Sequence, residues 1–339
     1  MKKSVFTTIF LLFFSRFVFA ETIIEGVITE NSWWTPDKSP YVVTNDLIVA
    51  RNAKLVIEPG VEVLIEKPVK MPIGIEQIDH LDSFSVSIKI FGAIYAVGTP
   101  QNPIIFKGKD VEERYTHWYG IVISSSRSQE IAIGFATISS AANGIWVKNG
   151  STPIIRNTLF EFNNVGLRIE SRSSVRAIHC VFAKNYLAGV RVLDSNPYIY
   201  NSIITNNSII GLWGDKNTEI AFKNNLCWGN GDRDYSDTDP NLGIMKKLNS
   251  NGDSVDIAGN LRCDPVFAGS VKESDAQKAG AKEKTPYSAK IFDQIEDKRY
   301  FLSPYSPCID AGTPDKMFRE NDGSLPDLGI FGGAETIRF

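Results

Sequence analysis

Apolar and polar positions recur together through the middle of the chain. Gly144-Ile-Trp-Val, Gly166-Leu-Arg-Ile, Gly189-Val-Arg-Val and Gly211-Leu-Trp-Gly open successive segments at intervals of 22, 23 and 22 residues, and Gly120-Ile-Val-Ile stands 24 residues upstream. A second apolar stretch recurs within each segment: Ile154 to Phe160, Ala177 to Phe182, Ile199 to Ile204 and Phe222 to Cys227. Both stretches are short and rich in β-branched and aromatic residues. Nothing between them has the length or spacing of a helix. Fixed-period self-similarity of this kind predicts a solenoid, here an all-β, single-domain parallel β-helix with coils of about 22 residues. A leucine-rich repeat has a similar period but requires its own leucine and asparagine pattern and commonly a helical side.

Two polar columns share the period. Asn163, Asn185, Asn207 and Asn230 form one, and Asn157, His179, Asn201 and Asn224 the other. Stacked strands lie ~4.8 Å apart, so equal positions align and their amides can bond along the stack. Both columns read as structural ladders, the alternative being an asparagine-lined binding site. Regular coils are expected over about 45–230. Residues 231–339 lose the period and form an irregular closing segment. Within it, about 268–297 is rich in Lys, Glu, Asp, Ala and Ser and reads as a mobile surface insertion. The Pro-, Gly- and Asp-rich stretch from Ser303 to Gly333 is expected to close the last coil.

The wording of several segments adds to the period. Leu55–Gly60, Gly92–Thr99, Pro103-Ile-Ile-Phe and Trp118-Tyr-Gly-Ile resemble the opening coils of right-handed parallel β-helix proteins of the pectate-lyase-like superfamily. Asn260-Leu, Asp264-Pro-Val-Phe, Ser303–Gly312 and Asp327–Gly333 resemble their closing segment. The resemblance covers nearly the whole chain after residue 20 and implies a right-handed coil. It leaves activity open, because that group includes lyases, hydrolases, epimerases and adhesins.

Lys2 and Lys3, the apolar run from Val5 to Phe19 and the small Ala20 have the form of a secretory signal peptide, residues 1–20. The domain proper is then 21–339, exported to the periplasm or outside the cell. No later stretch approaches ~20 consecutive apolar residues, so no membrane insertion is expected after cleavage. A net charge of −3 gives no footprint for nucleic acid. The four cysteines make neither a disulfide framework nor a metal pattern. Cys263 and Cys308 both fall in the closing region and are a possible disulfide, whereas Cys180 and Cys227 sit in strands as packed thiols.

If residues after each repeat glycine alternate inward and outward, Trp146, Arg168, Arg191 and Trp213 share one outer column. Indoles stack on sugar rings and guanidinium groups pair with carboxylate or sulfate, so this column is the candidate glycan-binding site. The alternative is a solvated face of long side chains. Catalytic residues are not identifiable. Glu161, Glu170, Asp194 and Asp215 are scattered rather than paired across a scissile bond. The Asn-Thr-Asp, Asp-Asp, Gly-His-Gly and Arg-Ile-Lys motifs of polygalacturonase-like proteins are absent. Arg168 or Arg191 would have to act as base in a lyase. Asp232, Asp234, Asp237 and Asp239 form an acidic loop that either wraps a calcium ion or is merely solvated. His80, His117 and His179 lack zinc spacing. Three functional classes follow: polysaccharide binding, a lyase or hydrolase on an acidic glycan, and a structural or adhesive surface module.

Overall fold

The computed structural model describes residues 20–67, 86–111, 115–125, 130–216, 218–278 and 280–333. The leader expected at 1–20 thus falls, except for Ala20, outside the described residues. From Thr22 to Ser236 the chain winds in about eight turns of about 23 residues, and each turn adds a strand to each of three parallel sheets. Sheet A stacks residues 22–24, 41–43, 63–65, 104–108, 136–138, 159–161, 181–183, 203–205 and 226–228. Sheet B stacks 26–28, 47–49, 87–90, 120–123, 145–147, 165–169, 188–192, 210–213 and 233–236. Sheet C stacks 32–34, 54–57, 93–97, 131–134, 154–156, 176–178, 198–200 and 221–223.

The stretch read from sequence as one second strand per coil is therefore two strands meeting at a corner. Asn157, His179, Asn201 and Asn224 hold that corner with φ of 44°, 55°, 53° and 51°. Asparagine tolerates this left-handed conformation better than most residues, so their period reports a backbone bend. Of this column only His179 and Asn201 are joined, Nε2 to Nδ2 at 3.2 Å. The amide ladder at this corner lies one residue on. Asn225 Oδ1 accepts from the backbone N–H of Ser202, and Asn260 Oδ1 accepts from that of Asn225.

At the corner between sheets A and B the expected asparagines do stack. Asn163 Nδ2 donates to Asn185 Oδ1 at 3.1 Å, Asn185 to Asn207 at 2.9 Å and Asn207 to Asn230 at 2.8 Å. Each Oδ1 also accepts the backbone N–H of the residue one coil earlier, as Asn185 does from Asn163. Asp234 ends the column by accepting both N–H groups of Asn230. The repeat glycines enter sheet B beside this ladder. A Cβ on Gly166 would stand 2.6 Å from the Gly189 carbonyl oxygen and 3.2 Å from Asn185 Nδ2, and one on Gly211 only 2.6 Å from Asn230 Nδ2. Close approach between coils therefore demands glycine there.

The core is a column of fully buried side chains along the axis, including Leu55, Ile88, Ile121, Ile145, Leu167, Val190 and Leu212. Phe160 and Phe182 stack within it, centroids 4.8 Å apart. Coiling starts at Thr22, well before residue 45. The first turn escapes a reading of hydrophobic runs because only one neighbour covers it, and Ile23, Val27 and Trp33 remain exposed.

The stretch from Ser303 to Gly333 is not the cap over the last coil, which earlier residues of the closing segment supply. Tyr235 and Leu242 cover that end of the core, and Asp256 and Asn260 finish its last rung. The chain then doubles back along the outer face of sheet A. Outward residues Leu159, Val181, Ile203 and Leu226 of that sheet pack with Leu261, Tyr300, Leu302, Ile309 and Leu328 in a second apolar cluster. The stretch 268–297, expected as a mobile insertion, carries a helix, Val271–Lys278, and a 3-10 helix, Tyr287–Gln294. It is docked: the Tyr287 N–H bonds Asp327 Oδ2 at 2.8 Å, and Phe292 meets Phe301 edge-on at 5.0 Å. Aromatic anchors at its C-terminal end outweigh its polar composition.

Candidate functional site

With sheet A covered, the outer face of sheet B carries the candidate column. Strand register places Trp146 beside Arg168, Arg168 beside Arg191 and Arg191 beside Trp213. Their immediate neighbours Ile145, Leu167, Val190 and Leu212 are fully buried in the core, so alternation sends the four side chains outward. The column is more self-engaged than sequence alone shows. The Arg168 guanidinium lies 4.5 Å from the Trp146 ring centre, and Lys148 Nζ lies 4.0 Å from it. Arg191 lies 4.3 Å from the ring of Trp213. Tyr119 tilts against Trp146 from below, and with Val122 and Ala142 they form a small apolar cluster outside the barrel. Trp146 is only 9% exposed. The indoles thus serve as beds for the cations.

Glu170, two residues after Arg168 on the same outer side, chelates it through one oxygen, 3.1 Å from Nε and 3.0 Å from Nη2. Glu170 is one of the scattered acids of the sequence, and Lys148 stands outside the four-residue column. Both could have been found by extending the alternation of the strand two residues beyond the column. Two of the other acids are committed elsewhere. Asp215 Oδ2 accepts from the Asp194 N–H, and Glu161 is held by Arg299 and Tyr300 beneath the closing segment.

The acidic loop does not converge. Asp234 turns inward to the asparagine ladder and to Arg262, Asp237 accepts from Ser236, and Asp239 caps Asn241. Among the described residues no group of three or more His, Cys, Asp or Glu side chains is placed to hold a metal ion, so the calcium reading gains no ligand set. Cys263 and Cys308 share the second apolar cluster as free thiols rather than a disulfide. Burial pushes Cys263 up to about 12 and Cys308 well above its usual value. His179 is driven down to about 3 by burial and by the nearby Arg156 charge. His117 bonds the Ile65 carbonyl at 3.1 Å, and His80 lies outside the described residues.

Residues 97–260 match the family model of the right-handed beta helix region. This stretch is a right-handed β-helix. Comparison with curated proteins and with solved structures finds no match. The β-helix region contains the candidate column entire, and its architecture fits the pectate-lyase-like superfamily. A right-handed β-helix suggests, in general terms, a polysaccharide-related function. Among the described residues no helix is long and apolar enough to cross a membrane.

Proposed function

We propose that this is an exported protein that binds an acidic polysaccharide along the outer face of sheet B. The observation that carries the reading is the pair Arg168 and Arg191, in register on adjacent strands, each laid against an indole. Adjacent coils stand ~4.8 Å apart, a spacing that presents two cations to successive anionic groups of an extended chain. Stacking on tryptophan restricts each guanidinium, and a guanidinium so held suits carboxylate or sulfate. Glu170 takes one edge of Arg168 and fixes its orientation beside Trp146.

The test is titration of the protein with acidic and neutral polysaccharides, beside an Arg168→Ala/Arg191→Ala variant. Binding confined to acidic polymers, weakened by salt and reduced at least about tenfold in the variant, is the expected result for two charge-assisted contacts. A wild type that ignores every acidic polymer overturns the reading and leaves a structural or adhesive module. Unsaturated or reducing-end products that disappear in the variant would convert binding into lyase or hydrolase activity.

A further inference from the structure

The two ends of the coil stack differ. At the far end Tyr235 and Leu242 pack against the core, and Asp234 completes the asparagine ladder. At the near end the segments 22–24, 26–28 and 32–34 each pair, among the described residues, only with the coil that follows. Their other backbone edges form an open rim on three sides. Ile24 and Ile28 point inward at that rim and are only partly buried, whereas Val43 and Val49, the residues they stack on, are fully buried. The core is closed at one end and open at the other.

Exposed sheet edges are ordinarily guarded by charge, by proline or by a cover. The strands of this rim carry no proline, and their charges face away from it. Glu25 is the one charged residue of Thr22–Ile28, and its carboxylate turns back to the second coil, accepting from Thr44 Oγ1 at 3.0 Å and Asn45 Nδ2 at 2.8 Å. Glu21 is likewise paired with Lys109 at 2.8 Å. Ser32–Trp34 has no charge. Beside the rim stand Ile23 and Val27, each 56% exposed, and Trp33, 57% exposed.

Three short edges around one apolar core select their partner. Each edge is three residues long, so a lone extended peptide gains little by adding to any one of them. The occupant has to present three edges of its own. The far end of this solenoid does not, because it is closed; the near end of a second copy does. We infer that the protein pairs head to head through its first coils, about a two-fold axis perpendicular to the stack. An axis through the bend at Glu25, where the strand register is interrupted, runs 22–24 of one copy antiparallel to 26–28 of the other and sets Ile23 beside the second copy's Val27. A coil end of about 23 residues is the size of one side of a specific interface, roughly 20–30 residues. The contact is isologous and the far ends are closed, so assembly stops at two.

The experiment is sedimentation velocity of the full chain, expressed with residues 1–20 in place, over a range of concentrations. A dimer that dissociates on dilution, with no larger species, is the expected result. Val27→Lys, at an exposed position, sets an ammonium against the second copy's Ile23 and should weaken dimerisation at least about tenfold. Its circular dichroism should match the wild type, which separates lost pairing from lost folding. Leu248→Lys, 65% exposed and outside the first coil, should leave the dimer unchanged. Mild oxidation should trap an Ile23→Cys/Val27→Cys variant as a covalent dimer, and should not trap Ile23→Cys alone. A chain that stays monomeric at every concentration, assemblies larger than a dimer, a dimer untouched by Val27→Lys, or a double-cysteine variant that fails to crosslink overturns the inference.

Discussion

Arg299 reaches across the surface of the coil stack to grip Glu161 with two parallel bonds, Nη1 to Oε2 at 2.8 Å and Nη2 to Oε1 at 2.7 Å. The carboxylate belongs to the outer face of sheet A and is 4% exposed, while the arginine comes from the closing segment and is half exposed. Asp297 holds the other side of the same guanidinium.

Removing the arginine leaves a buried carboxylate bonded only to the Tyr300 hydroxyl. A fully buried pair broken on one side costs about 3–5 kcal/mol, and exposure of Arg299 reduces this to about 2. Arg299→Ala should accordingly lower stability by about 2 kcal/mol in urea unfolding. It should also open residues 268–297 to protease before the coils unfold.

The ladder on the A-to-B corner is a line of interdependent amides. Asn185→Ala strips acceptors from the Asn163 backbone and side-chain N–H groups, and a donor from the Phe160 carbonyl. At about 1–3 kcal/mol per unsatisfied buried group, with partial relaxation, the loss should be about 3 kcal/mol. Thermal denaturation measures it, with Asn196→Ala on the opposite corner as a milder comparison.

Gly166→Ala tests close approach separately from hydrogen bonding. The added methyl would meet the Gly189 carbonyl oxygen at 2.6 Å, and backbone rather than a flexible side chain must yield. An expected destabilisation of about 2 kcal/mol contrasts with Gly252→Ala, whose Cβ meets nothing, although φ of +86° makes that variant mildly strained as well. Equal melting temperatures for Gly166→Ala and wild type would refute the packing argument.

The closing segment has its own pH dependence. Burial raises Glu320 to about 7 and Asp327 to about 6, although each accepts two backbone N–H groups. Both folded values exceed the unfolded ones, so the native state binds more protons, and the contribution is fully present below about pH 4. It is lost as pH rises through 6 and 7. Hydrogen exchange of residues 300–330 should therefore show stronger protection at pH 5 than at pH 8, after correction for intrinsic rates. Glu320→Gln should flatten the upper part of that dependence.

The coil period was legible because core positions and close-approach glycines are both imposed by the same stacking distance, which leaves one residue type at each repeat. The column Asn163, Asn185, Asn207 and Asn230 was legible for the same reason. The corner at Asn157 misled: asparagine suits a left-handed backbone as well as an amide stack, and sequence does not separate the two uses. The stacking residues Asn225 and Asn260 stand 35 apart and share the column with Cys180 and Ser202, so no period marks them. In the candidate site, the order Trp146, Arg168, Arg191, Trp213 followed from alternation alone. That the cations cover the indoles did not, because side-chain direction between neighbouring coils is set by packing. The path of the closing segment was illegible for a further reason: its contacts pair Leu328 or Arg299 with residues more than a hundred positions away.

That return path changes how the stack should come apart. In a simple solenoid each coil feels only its neighbours, so fraying travels inward from either end one coil at a time. Here residues 299–330 touch coils from Asn157 to Leu226, binding the middle of the stack to its own terminus. Several coils must then open together or not at all. During synthesis, which proceeds from the N-terminus, those coils emerge without this fastening and receive it last. Final rigidity arrives as one late docking event that spans the series rather than as the sum of its rungs.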